Sequence, residues 1–189
     1  GVLDYEPSEL FLTARPGTSL AEIDACLREQ NQELAFEPPD LAPLLGTAPN
    51  IATLGGTIAC NLSGPRRVRV GAARDHFLGM RAINGRAEAF KAGGKVVKNV
   101  TGYDLCKLIA GSYGTLALLT EVTVKVLPRA EKTRTVLLFG LEENSAISTL
   151  SDVMASVHEP TALAHLPANI AARSSVDLVS NAGCAATAV

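Results

Sequence analysis

The residues most capable of chemistry lie in one run, ATLGGTIACNLSGP, at positions 52–65. Gly55, Gly56 and Gly64 cluster there with the small residues Ala52, Thr53, Thr57, Ala59 and Ser63. Small side chains leave backbone N–H groups exposed, and several such groups converging on one point make a nest for phosphate oxygens. The hydroxyls of Thr53, Thr57 and Ser63 add donors to the same chemistry. The run has no Gly-Lys-Ser/Thr ending, so it is not a P-loop. No GxGxxG joins a strand to a helix, so it is not a Rossmann turn either. A tight turn with close backbone packing would show the same composition.

Other chemical groups are more scattered. Arg66, Arg67, Arg69 and Arg74 form a basic cluster, suited either to phosphates or an acidic substrate or to a solvated loop with surface ion pairs. Lys91 and Lys95 read as a solvated strand face, and Lys98 as a structural partner for Asp104. Tyr103 and Asp104 could supply acid–base groups, but Asp104 also suits helix initiation. His76, His158 and His165 show no metal-ligand spacing. No catalytic base and no metal site are assigned. Cys26, Cys60, Cys106 and Cys184 form no CxxC, and read as small apolar residues of a reducing compartment. An iron–sulfur cluster within the chain is not expected.

These groups need a scaffold, and the composition supplies one. The chain of 189 residues is 47% hydrophobic and 19% charged, enough for one folded domain and the start of another. A net charge of -2 and the absence of Trp argue against nucleic acid as a partner. No apolar run is long enough to span a bilayer, and the first residues show no signal-peptide pattern. A cytoplasmic protein is expected, or one held at a membrane through its partners.

Along the chain, residues 8–14 read as a strand. Ser19 and Glu22 have capping-box form ahead of an amphipathic helix over 19–30 carrying Leu20, Ile23 and Leu27. Residues 37–40 (EPPD) are a rigid loop, and 49–65 is the loop that carries the glycine-rich run. Strands over 77–83 and 86–91 flank Asn84-Gly85 as a tight hairpin. A strand follows over 95–100 and a short helix over 104–110, closed by Gly111. Residues 116–127 form a long strand with Val122, Val124 and Val126 on one face. Composition changes between 128 and 135. A strand over 135–139, a helix over 142–157 and a strand over 162–166 then begin a second domain. The helix carries Ala146, Ile147, Leu150, Val153, Met154 and Val157. Only partial helix is expected over 171–189.

The ordered segments ATLGGTIACNLSG, RDHFLGMRAINGR and KNVTGYDLCKLIAGSYGTLALLTEVTVKVLP resemble the FAD-binding domain of the vanillyl-alcohol oxidase or PCMH-type flavoproteins. With EPPD, LSGPRR and LPR they resemble, more narrowly, the FAD-binding E subunits of bacterial glycolate oxidases. The likeness covers residues 3–129 and continues faintly through HLPANIA.

The resemblance implies an α+β fold, a PCMH-type FAD-binding domain over 1–130 followed by the start of an α+β cap domain over 131–189. It implies FAD as cofactor. Ala52, Thr53, Gly55, Gly56 and Thr57 match the central flavin-contact loop, and Asn61, Ser63 and Gly64 its second half. Gly71 and Asp75 match the segment supporting that loop. Gly114, Leu118 and Val122 match positions that bring backbone against the flavin nucleotide. Family members carry an earlier glycine-rich loop before the first strand. This chain opens after that point, so an N-terminally truncated domain with an incomplete flavin site is expected. The implied function is oxidation of a small 2-hydroxy acid to a 2-oxo acid, with electrons passed to a second FAD-binding subunit and an iron–sulfur subunit. A self-sufficient lactate or 2-hydroxy-acid dehydrogenase and a non-catalytic flavin-domain scaffold are the alternatives.

Overall fold

A computed structural model describes residues 1–95 and 102–189. Its chain divides into two compact units, Gly1–Arg129 and Ala130–Val189.

In the first unit, β1 (Val2–Glu6) turns through Leu10, at φ 57°, into β2 (Phe11–Ala14). Helix α1 (Leu20–Arg28) follows, then β3 (Gln32–Glu33), α2 (Ala42–Leu45) and α3 (Leu54–Cys60). Two further short helices, α4 (Arg67–Val70) and α5 (Ala73–His76), lead into the hairpin of β4 (Phe77–Asn84) and β5 (Ala89–Gly93). Helix α6 (Leu105–Ile109), β6 (Ala117–Lys125) and β7 (Leu127–Pro128) complete the unit. A five-stranded sheet runs in the order β1-β2-β6-β4-β5, and every adjacent pair is antiparallel.

The sequence explains the sheet's centre. Alternating β-branched residues at the end of β6 and just beyond it place Val122, Val124 and Val126 on one face, all fully buried. Leu12, Ile23, Leu27, Phe36, Leu54, Ile58, Phe77 and Met80 join them in one core. On the sheet's other face the hydroxyls of Thr13 and Thr123 share a buried hydrogen bond of 2.8 Å. The Ser19 hydroxyl caps α1 by accepting from the Glu22 N–H at 3.1 Å.

Several sequence expectations change. Residues 2–6 form a strand of their own. The loop expected over 49–65 holds a helix, α3. The hairpin turn at Asn84 is longer than two residues, since Asn84 N–H donates to the Glu88 carbonyl. Ala87, not Gly85, takes the left-handed conformation at φ 61°. The Asn84 carboxamide holds this turn by accepting from the N–H groups of Arg86 and Glu88. The strand expected over 95–100 falls outside the described residues except for Lys95.

The second unit contains β8 (Leu137–Phe139), α7 (Glu143–Met154), β9 (Ala164–Leu166), α8 (Ala168–Ala171), α9 (Asp177–Ser180) and β10 (Ala186–Ala188). Its sheet has the order β8-β10-β9, so the last strand is the central one and not part of a helical tail. The helix expected over 142–157 ends at Met154; of its apolar residues Ala146 is buried and Ile147 exposed, while Val157 lies exposed beyond its end. A unit this small has little interior to offer a helix face.

Candidate functional site

Thr53 caps α3: its Oγ1 accepts from the Gly56 N–H at 3.2 Å. The Leu54 N–H donates to the Thr18 carbonyl at 3.0 Å and the Gly55 N–H to the Pro16 carbonyl at 2.8 Å. These first-turn donors would otherwise be free for an anion. The amide nest expected of residues 52–57 is therefore filled by the protein itself. Gly55 is glycine for packing: a Cβ there would lie 2.5 Å from the Pro16 Cβ and 2.9 Å from its carbonyl oxygen. Gly64 behaves alike, its N–H donating to the Phe36 carbonyl at 2.8 Å and its missing Cβ 2.7 Å from the Glu37 carbonyl oxygen.

The outer face of α3 is different. Gly56, Ala59 and Cys60 recur at helical i, i+3, i+4 spacing and are exposed or half-buried. Leu54, Gly55, Thr57 and Ile58 point inward. This leaves a strip of helix surface with almost no side chain to hold a flat ligand away. Its far end is closed by Asn61, in the left-handed conformation at φ 53°. The Gly111 N–H donates to the Ile58 carbonyl at 3.1 Å and the Tyr113 N–H to the Ala59 carbonyl at 2.9 Å. The turn 111–114, with Gly111 and Gly114 at φ 80° and 74°, is thereby fastened beside the strip. Two hydroxyls near the ends of α3, Thr18 Oγ1 and Ser112 Oγ, are buried without a hydrogen-bond partner among the described residues.

Beyond Asn61 the predicted residues converge by hydrogen bonding. Asn61 Oδ1 accepts from the Arg74 N–H at 2.8 Å, and Ser63 Oγ from the Ala73 N–H at 2.9 Å. Asp75 Oδ2 accepts from the Ala72 N–H at 2.9 Å. Gly71, at φ 89°, makes the turn between α4 and α5 against the Asp75 carboxylate. Asn61, Arg67, Gly71, Arg74, Asp75 and Lys107 line a cleft of about 300 Å³.

Predicted residues elsewhere fare differently. Gly114 is exposed, and Leu118 is exposed on β6. Val122 is fully buried, with β2 and β4 paired on either side. Arg66 is committed to Glu33, with Nη1 to Oε1 at 2.6 Å, and lies near Glu37. Asp104 caps α6, accepting from the Lys107 N–H at 3.2 Å. Lys98 lies outside the described residues. His76 is buried against Phe36 with Nε2 2.9 Å from the Val70 carbonyl oxygen. Burial is the main cause that lowers its pKa. All four cysteines are free, and only Cys106 is buried; burial pushes its thiol up to about 11. Sequence reasoning missed Lys107 and Ser112. Lys107 looks like one more helical lysine until its Nζ is seen to donate to the Arg74 carbonyl.

Residues 1–93 match the family described as FAD binding domain. Glycolate oxidase subunit GlcE of Escherichia coli (strain K12) is 48% identical over 129 residues, 68% of this chain and 35% of that protein. Glycolate oxidase subunit GlcD of Bacillus subtilis (strain 168) is 32% identical over 165 residues, 87% of this chain and 33% of that protein. A solved alkyldihydroxyacetonephosphate synthase matches over 100% of this chain and 35% of its own, with a TM-score of 0.73 at 18% identity, a likeness of fold. The chain spans about a third of the length of the curated relatives it matches.

Proposed function

The chain belongs to the FAD-binding domain family of PCMH type, and on that premise we propose that it is the flavin-holding part of a glycolate oxidase or dehydrogenase subunit. The proposed reaction removes two electrons from a small 2-hydroxy acid to give a 2-oxo acid. Electrons then pass to a second FAD-binding subunit and an iron–sulfur subunit. Residues 130–189 are proposed as the beginning of the cap domain.

One observation carries the reading: the strip of Gly56, Ala59 and Cys60 along α3, with the 111–114 turn fastened beside it. The residues fit the cofactor. A planar ring system needs backbone-close approach, which this strip gives. The buried Ser112 hydroxyl next to Tyr113, without a partner among the described residues, offers hydrogen-bonding capacity. Bound flavin would supply the hydride-accepting chemistry. The chain's own residues would hold and orient it. Ala52, Thr53 and Gly56 would border one end of the strip, and the buried Thr57 would support it from beneath. Asn61, Ser63, Gly64, Gly71 and Asp75 would shape the other, with Gly114 and Leu118 along its edge. Gly55 would act indirectly, by seating α3 on the Pro16 turn. Acid–base chemistry is assigned to no residue of this chain.

The test is the flavin spectrum of the whole protein and its anaerobic bleaching. Glycolate should bleach the flavin when the partner subunits are present. Bleaching by D-lactate without partners would replace this reading with a self-sufficient dehydrogenase. A protein that stays colourless with added FAD yet still assembles with its partners would make it a scaffold.

A further inference from the structure

The cleft between α4, α5 and α6 has a donor set that the flavin strip does not explain. Arg67 and Arg74 carry guanidinium groups with no acidic partner among the described residues. Lys107 Nζ donates to the Arg74 carbonyl, which leaves two of its protons unassigned. It stands 3.7 Å from Asp75 Oδ1, an ion pair too long for a hydrogen bond. Asp75 itself is occupied, because its other oxygen holds the Ala72 N–H. Asn61 uses Oδ1 on the Arg74 N–H, so its Nδ2 donor remains. The cleft of about 300 Å³ is thus lined by three residues with cationic side chains and by Asn61, together with the Asp75 carboxylate, one oxygen of which holds the Ala72 N–H while the other faces Lys107.

We propose that this cleft is a phosphate-binding site. A carboxylate presents two oxygens and one charge. A phosphate or diphosphate presents more oxygens and about two charges or more, which matches two guanidinium forks and an ammonium. The group could be the diphosphate of a dinucleotide laid along α3, in which case the proposal rests on the flavin reading above. It could equally be a free phosphate or nucleotide, in which case it does not. Neither source needs the amides of residues 54–56, which are already engaged.

Calorimetric titration of the 189-residue chain with inorganic pyrophosphate, ADP, FAD and glycolate tests this. Arg67→Gln, Arg74→Gln and Lys107→Gln are run beside the unaltered protein, and circular dichroism confirms their fold. Pyrophosphate should bind, weaken with rising salt, and lose at least about tenfold in affinity in the Arg74→Gln variant, the effect of one charge-assisted contact. FAD that competes with pyrophosphate identifies the dinucleotide as the source. FAD that binds without competing, or pyrophosphate binding without any FAD binding, identifies a separate phosphate site. The second of these also counts against the flavin reading for this chain. No pyrophosphate binding, binding indifferent to all three substitutions, or glycolate displacing pyrophosphate at lower concentration overturns the proposal. FAD binding that survives those results leaves the flavin reading standing.

Discussion

Two neighbouring glycines in α3 should respond in opposite ways to the same methyl group. At Gly55 an added Cβ meets the Pro16 ring and backbone, with contacts of 2.5, 2.9 and 3.0 Å to Cβ, O and Cα. Backbone cannot rotate away as a flexible side chain can, so α3 or the 15–18 turn must move. Overpacking of this kind costs about 1–3 kcal/mol. Losing the Gly55 N–H bond to the Pro16 carbonyl adds about 1 kcal/mol. Alanine's better helix propensity returns about 1 kcal/mol. Gly55→Ala should therefore destabilise by about 1–3 kcal/mol, lowering Tm by very roughly 3–15 °C for a unit of this size. At Gly56 the nearest atom is Thr53 Oγ1 at 3.2 Å, and the position is exposed. Propensity then offsets the mild crowding, and Gly56→Ala should stay within about 1 kcal/mol of the parent. The methyl would nonetheless stand on the small-residue strip, so flavin loading should fall. Thermal melts and flavin absorbance of the two variants read both effects. Equal melting of Gly55→Ala and the parent would refute the packing argument. Undiminished flavin in Gly56→Ala would refute the use of the strip.

Two further outcomes follow from buried polar groups. Thr123→Val strands the Thr13 hydroxyl behind a lost 2.8 Å bond, and should cost about 1–3 kcal/mol. Thr13→Val with Thr123→Val removes both groups and should recover much of that loss, so urea melts showing simple additivity would sink the pairing. His76 is held below its ordinary pKa of 6.5, mainly by burial. The unfolded chain then takes up this proton near pH 6.5 while the folded protein stays neutral, so stability falls as pH drops below about 6.5 and is retained above it. His76→Phe should flatten that part of the stability–pH profile. An unchanged slope would assign it to other groups.

What the sequence alone determined was local. The Ser19 and Asp104 caps and the buried face of β6 depend on residues a few positions apart, whose chemistry has few alternatives. The flavin resemblance also lay in the order of short segments. Tertiary structure decided the rest, because it concerns partners distant in the chain. Gly55 and Gly64 look like phosphate-cradle glycines, but their reasons are Pro16 and Glu37 pressing against them. The first-turn amides of α3 look free until the Pro16 and Thr18 carbonyls arrive. Val122 satisfies a motif position and is buried by two neighbouring strands. Arg66, Arg67 and Arg74 are alike in sequence; Glu33 captures the first, and the turn at Gly71 brings the other two to one cleft with Lys107. Composition marks which residues could meet a phosphate, and only packing shows which donors are still unspent.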